Sequence, residues 1–232
     1  MSDLLSLPAL QAQAPRNVAD QIFDLLHERI INLSLEPGAK LSEAEVATQL
    51  GVSRQPVRDA FYRLSQLGFI VIRPQRATQV THISREATLQ AYFVRRALEE
   101  ATMRRAALDL TTGQLAALAG LIEAQAAAIK AEDKALLHKL DDQFHHDICD
   151  YAGLGFVWTL IRDNKGHMDR ARYLSLSFNA PRVVEDHTEI LAALRARDPE
   201  KAASAAGQHL GRITTIIAKI ESERPEVFGP SR

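Results

Sequence analysis

The chain predicts a mostly α-helical protein in two parts: an N-terminal winged helix-turn-helix and a C-terminal all-helical antiparallel bundle of about six helices. Three observations carry this. Residues 51–58 read Gly-Val-Ser-Arg-Gln-Pro-Val-Arg between two amphipathic segments, 41–50 and 57–67, which is the pattern of two helices joined by a tight glycine turn. Two short β runs follow, at 69–73 and 78–81. From Ser84 onward no strand signal recurs, and apolar residues return at helical spacing.

In chain order, residues 1–16, with their Ala, Gln, Pro and Ser, read as a loose tail. Asn17 can cap a helix running to about Leu33 that carries Val18, Ile22, Leu25, Leu26 and Ile30 on one side. Glu36-Pro37-Gly38 is a turn. Ser42 with Glu45 three later has capping-box spacing and opens the first helix of the helix-turn-helix. Ser53 is placed to cap the second, and Pro56 fits its first turn, where a missing N–H costs nothing. Phe61 and Tyr62 are expected in the core. Residues 69–73, the break Pro74-Gln75-Arg76-Ala77 and residues 78–81 form a two-stranded wing. The remaining helices are predicted at 84–108, 111–131, 133–152, 156–177, 181–197 and 199–223, punctuated by Ser84, Thr111, Gly153, Gly155, Pro181 and Asp198-Pro199. The Ala-rich stretch 113–131 reads as an outer helix. The resulting division is a DNA-binding domain at 17–82, a helical domain at 83–223 and a C-terminal tail at 224–232.

The 232 residues are 46% hydrophobic, enough for one large core or two modest ones. A formal net charge of −1 gives no global basic signature, but 51–82 holds Arg54, Arg58, Arg63, Arg73 and Arg76 against a single acid, Asp59, a local net charge of +4. Arg54 and Arg58, four apart, share a helix face, and with Ser53 and Gln55 they occupy the end of a recognition helix that usually reads bases. Gln55 suits adenine and the arginines suit guanine or phosphate. Arg63 is a candidate phosphate contact, or simply solvated; Arg73 and Arg76 on the wing suit phosphate or the minor groove. Cys149 stands alone, which forbids an intrachain disulfide and fits a reducing cytoplasm. No apolar run is long enough for a membrane span, and the N-terminus lacks a basic start followed by an apolar stretch, so the expectation is a cytoplasmic protein without a membrane partner.

The run Pro37-Gly38, Leu41-Ser42-Glu43, Ala47, Leu50-Gly51-Val52-Ser53-Arg54, Pro56-Val57-Arg58, Ala60, Leu64, Leu67-Gly68 resembles the GntR family of bacterial transcription regulators. The helical half resembles the ligand-sensing FCD domain of its FadR subfamily through Arg95-x-x-Leu98-Glu99, Asp141-x-x-Phe144-His145, Glu185-Asp186-His187-x-x-Ile190-Leu191, Asp198 with Ala202, and His209-Leu210. The likeness covers 17 to about 223. It implies a homodimer that binds a palindromic operator and changes its grip when a small carboxylate binds. Two departures stand out: Ala77 where the wing tip usually carries Gly, and Ala44 near a position where acyl-CoA-responsive members often carry Arg.

The helical half also holds Asp141, His145, His187 and His209. Asp and His at i and i+4 point the same way and can chelate one ion. Two such pairs exist, Asp141/His145 and Asp142/His146; at about 100° per residue the first borders the stripe Leu137, Leu140, Phe144, Ile148, Tyr151 and the second faces solvent. His187 falls within the stripe Val183, Ile190, Leu191, Leu194, and His209 close to Ala206, Leu210, Ile213, Ile217. Singly, each His reads as a hydrogen-bonded core histidine, and an Arg could pair the buried Asp as well as a metal could. Together, and matching the family's metal-binding variant, they read as a site for a divalent ion, Zn²⁺ first, with Ni²⁺, Mn²⁺ or Fe²⁺ also suited. His27, His82, His138 and His167 have no such company and read as surface or packing residues. Arg95 could hold an effector carboxylate or merely pair with Glu99; Asn164 and Arg172 are further pocket candidates, with helix packing or a surface salt bridge as the alternative.

The expectation is therefore a ligand-responsive transcriptional regulator, with repression the expected sign. Two rivals remain open at this point: a metal-dependent hydrolase or oxygenase built on the His/Asp set, and a regulator whose ion is purely structural. The enzyme reading leaves the N-terminal domain unexplained and lacks a spare inward carboxylate to act as general base.

Overall fold

The computed structural model describes residues 17–73 and 77–229. Its first helix, α1 (Val18–Ile31), is capped by Asn17, whose side chain accepts from the Ala19 N–H at 3.2 Å. A two-residue strand β1 (Lys40–Leu41) precedes α2 (Glu43–Leu50), capped by Ser42 accepting from the Glu45 N–H. Gly51 closes α2 at φ 65°, a left-handed conformation that glycine takes without steric cost, and this turns the chain into α3 (Arg54–Gln66). Ser53 stands at the N-cap of α3 but makes no capping hydrogen bond, against the expectation, and is left exposed.

Strands β2 (Ile70–Val71) and β3 (Thr78–Val80) form the wing, and β1 adds a third strand to it in the order β1-β3-β2. Both pairings are antiparallel, with Lys40 opposite Gln79 and Ile70 opposite Val80. Two residues of strand carry no readable periodicity, so β1 is absent from the sequence-based expectation. The wing tip 74–76, with the candidate contact Arg76, lies outside the described residues, as do the tail 1–16 and residues 230–232. Ile22, Leu26, Ile30, Val57, Phe61, Leu64, Phe69 and Val80 make one buried cluster. Tyr62, expected in that core, is 60% exposed: the inward stripe of α3 is Val57, Ala60, Phe61 and Leu64, and one further residue rotates the side chain out to solvent.

The second part consists of α4 (Arg85–Asp109), α5 (Thr112–Lys130), α6 (Lys134–Tyr151), α7 (Gly155–Asn164), α8 (Gly166–Arg195), α9 (Pro199–Gly211) and α10 (Ile213–Glu223), followed by a 3-10 turn, Pro225–Phe228. Ser84, Thr111 and Asp198 cap α4, α5 and α9 as their spacing predicts. The expected break before Pro181 does not occur. Leu176 and Val183, on either side of that proline, pack into one cluster with Ala128 and Leu137, so the helix gains by continuing. The carbonyl deprived of a partner belongs to exposed Ser177, where water can serve it. The breaks fall instead at Lys165 and at Arg212, which divide the predicted 156–177 and 199–223 helices. Nor is the C-terminal stretch wholly a tail: Val227 is buried beside Ile83 and Ile216, and its carbonyl accepts from the Ile83 N–H at 2.8 Å. Helix α4 packs on α8 and α9, and α5 on α6 and α8, so side chains from all five converge at mid-bundle. No helix of the described residues is long and apolar enough to cross a membrane.

Candidate metal centre and DNA-contacting helix

Asp141 and His145 of α6, His187 of α8 and His209 of α9 each offer a ligand atom within 4.8 Å of the others. The structure thus brings together all four residues singled out from helical spacing. The Nε2 atoms of His145 and His209 face each other at 3.3 Å, and His187 Nε2 lies 3.7 Å from Asp141 Oδ1.

What fixes this geometry is a ring of acceptors behind the imidazoles. His145 Nδ1 lies 2.6 Å from Glu99 Oε2, His187 Nδ1 2.8 Å from Gln125 Oε1, and His209 Nδ1 3.2 Å from Asp186 Oδ2. The His187 and His209 contacts call for a proton on Nδ1, which leaves their Nε2 lone pairs facing Asp141 Oδ1 and His145 Nε2 respectively. Burial holds His187 well below the ordinary imidazole range and, against the pull of Asp186, lowers His209 to about 4. At neutral pH His187 and His209 therefore hold no second proton. His187 Nε2 is fully buried without a hydrogen-bond partner. Three imidazoles and a carboxylate converging away from water form a donor set that fits a divalent metal.

Arg172 contacts Asp141 Oδ2, so the alternative of an arginine partner is also realised, on one oxygen only. Oδ1 remains turned toward His187. Asp142, expected on the solvent side, is instead partly buried and pairs with Lys165 at 2.6 Å; His146 does lie toward the surface, 3.1 Å from Asp147.

Beside the four residues opens a small cavity of about 40 Å³, room for roughly three waters or a compact anion. Its polar wall includes Arg95, Arg172, Arg212 and His209, with the carboxylates of Asp141 and Asp186 also lining it. Of the two expectations held for Arg95, the structure realises the pairing with Glu99. Its Nε pairs with Glu99 at 2.5 Å, while Nη1 and Nη2, in a side chain 1% exposed, have no partner. These two buried donors are therefore free to take an acceptor. Asn164 is not part of this wall: it is exposed at the end of α7, and its amide donates to the Leu160 carbonyl at 2.8 Å. His138, read as a surface or packing residue, is part of it.

Glu99, Gln125 and Asp186 received no role in the site from sequence. Glu99 and Asp186 were visible only as neighbours of an Arg and a His in the family motifs. Gln125 did carry a signal, a lone polar residue on the apolar stripe Leu118, Ile122, Ala128 of a helix taken to be external.

At the other end of the molecule Arg54 and Arg58 stand 62% and 58% exposed on the first turns of α3, close to Glu43 at 3.6 and 3.4 Å. Gln55 is exposed and donates to Asp59 at 2.8 Å. Arg73 is exposed on the wing. Arg63 differs: it pairs with Asp20 at 2.6 Å and lies 4.2 Å above the Phe23 ring, which ties α3 to α1.

A winged helix-turn-helix joined to a helical bundle with a buried His/Asp centre defines a class of DNA-binding regulators, and the comparisons agree. Residues 18–80 match the model of the bacterial regulatory proteins, gntR family, and residues 90–212 match the FCD domain. The chain belongs to the GntR family, in its FCD-bearing FadR branch, and is a transcription regulator rather than an enzyme. Among its relatives is the HTH-type transcriptional repressor RspR of Escherichia coli, 35% identical over 94% of this chain and 96% of that protein. A probable D-xylose utilization operon transcriptional repressor of Paenarthrobacter nicotinovorans is 29% identical over 87% of this chain and 89% of that protein. The solved structure of E. coli McbR/YncC superposes with a TM-score of 0.76 at 23% identity, over 88% of this chain and 99% of that one, a likeness of fold.

Proposed function

We propose that the protein is a metal-dependent, ligand-responsive repressor. In this reading residues 17–82 grip a palindromic operator and residues 83–223 sense a small carboxylate at a bound divalent ion. One observation carries the sensing part: the imidazoles of His145, His187 and His209 converge with the Asp141 carboxylate beside the two unpaired Arg95 nitrogens. Asp141, His145, His187 and His209 would hold the ion, Zn²⁺ first, with Ni²⁺, Mn²⁺ or Fe²⁺ as alternatives. The ion would supply a Lewis-acid anchor for one carboxylate oxygen, and Arg95 would take the other. Arg172 lines the same cavity and completes the anion's surroundings. Asn164 drops out of the proposed pocket, while Ser53, Arg54, Gln55, Arg58 and Arg73 remain the proposed DNA-facing set and Arg63 moves to a structural role.

Repression is supported by the repressor names of the relatives. A homodimer is supported by an apolar face on α4 and α7, where Phe93, Phe156 and Leu160 are 73%, 65% and 48% exposed. A cytoplasmic location is supported by the transcription-regulator names of the relatives.

The test is thermal unfolding of metal-stripped protein with Zn²⁺ and a panel of small carboxylates, with and without chelator. A ligand at 100 times its Kd stabilises by about 2.7 kcal/mol, which for a chain of this size raises Tm by about 5–11 °C. A carboxylate-specific rise that vanishes with chelator is the expected result. Metal-dependent stability with no response to any carboxylate would reduce the ion to a structural one. Indifference to both would remove the centre.

A further inference from the structure

Two turns of α8 stand between the sensor cavity and the DNA-binding part, and they hold buried charges that neither role requires. Arg172, on the cavity wall, touches Asp141 and also reaches Asp169 at 2.8 Å and Asp142 at 3.3 Å. Asp169 and Asp142 in turn share the ammonium of Lys165, at 2.5 and 2.6 Å. Lys165, Asp169 and Arg172 are spaced i, i+4, i+7 and so run along one face of α8. Lys165 and Asp169 are about nineteen-twentieths buried, so each charge is felt strongly by the next. The chain ends at a cleft between the two parts, lined by His27 and Asn32 of α1 with Trp158, Lys165 and Tyr173.

The adjoining face of the same two turns is the seat of the DNA-binding part. Gly166 lies so close under the Phe69 ring that a Cβ there would run into it. His167 stacks on Phe69 at 6.5 Å, and His27 meets the ring's edge at 4.8 Å. Fully buried Arg170 donates to the Thr81 carbonyl at 2.7 Å, at the root of the wing.

We propose that occupancy of the sensor centre reaches the DNA-binding part through this ion-pair chain, Asp141–Arg172–Asp169/Asp142–Lys165, along the start of α8. The inference rests on the metal-centre reading given above. Arg172 serves three carboxylates at once, so a change at one is felt by the other two. A cation that takes up Asp141, or an anion that takes up Arg172, weakens the first pair and redistributes the guanidinium among Asp169 and Asp142. Lys165, paired with those two, shifts at the α7–α8 junction, and Gly166, His167 and Arg170 shift with it under Phe69 and Thr81. Transmission of this kind requires the network to switch between discrete pairings and to be coupled to the packed seat beside it.

Trp158, the chain's sole tryptophan, has its ring 5.5 Å from Lys165 Nζ and reports on the cleft. The experiment titrates ZnCl₂ into metal-stripped full-length protein. It follows zinc affinity by chelator competition, Trp158 emission, and hydrogen exchange over α1 residues 27–31, in the unaltered protein and in Asp169→Asn and Lys165→Gln. Neither substitution touches Asp141, His145, His187 or His209, and Lys165→Gln also leaves intact the second possible donor group, His138, Asp142 and Asp169. Either one interrupts the chain should the other fail to fold. The expected result is zinc-dependent emission and exchange in the unaltered protein, and zinc affinity within about threefold in the variants with the response reduced at least about fivefold, inside the usual range of coupling. A full response in both variants, or zinc binding to the unaltered protein without any response, overturns the chain while leaving the metal centre standing. Failure of the unaltered protein to bind zinc overturns the metal centre itself, and the chain with it.

Discussion

Replacing Gln125 by Leu removes one support behind the centre without touching a ligand. Gln125 is fully buried on α5; its Oε1 accepts from His187 Nδ1 at 2.8 Å and its Nε2 donates to the Leu140 carbonyl at 3.1 Å. Leu fills similar volume and offers neither group. His187 Nδ1–H would be left buried without an acceptor, at a cost of about 1–3 kcal/mol, or about 2–12 °C in Tm for a chain of this size. The ring would also lose the hydrogen bond that keeps its Nε2 facing Asp141. Loss of such outer-shell partners typically weakens metal affinity 10–100-fold, about 1.4–2.8 kcal/mol. The assay is chelator competition for Zn²⁺ beside thermal unfolding of the metal-free protein. Both quantities should fall. A drop in Tm with zinc affinity unchanged would show that His187 is a packing histidine and that its orientation serves no ion.

Three further outcomes follow from the same geometry. Arg58→Ala should weaken binding to duplex DNA and lower the slope of log K against log salt by about 0.9 per subunit for one phosphate contact, whereas Arg63→Ala should leave that slope alone and cost about 1 kcal/mol of stability, because its partners are Asp20 and Phe23. Arg95→Lys should keep zinc binding but weaken any carboxylate response at least about tenfold, since an ammonium cannot reproduce two free guanidinium nitrogens; equal responses would place the anion elsewhere. Burial pushes the Cys149 thiol up to about 12, so iodoacetamide at pH 8 should leave it unmodified in the native protein and label it after denaturation.

Much of this was legible in the sequence because helical spacing is geometry. The choice of Asp141/His145 over Asp142/His146 needed only the stripe from Leu137 to Tyr151, and the structure places the chosen pair against His187 and His209. The helix-turn-helix was legible because Gly51 and the caps at Asn17 and Ser42 are local chemistry. What stayed hidden depends on partners distant in the chain. Gln125 and His187 are 62 residues apart, and nothing local marks them as a pair. Pro181 was read as a boundary because its missing N–H is a local fact, while the packing of Leu176 and Val183 that carries α8 through it is a tertiary one. Arg63 and Asn164 were placed by helix face alone; the side chains instead found Asp20 with Phe23, and the Leu160 carbonyl.

The central claim is that the four convergent residues hold one divalent ion, and the most direct measurement is the metal content of the purified, dialysed protein beside His187→Ala and His209→Ala. The account predicts about one equivalent of a transition metal per chain in the unaltered protein, removed by chelator and restored by Zn²⁺, and well under half of that in either variant. No metal in the unaltered protein after exposure to Zn²⁺, or full retention in both variants, would contradict it.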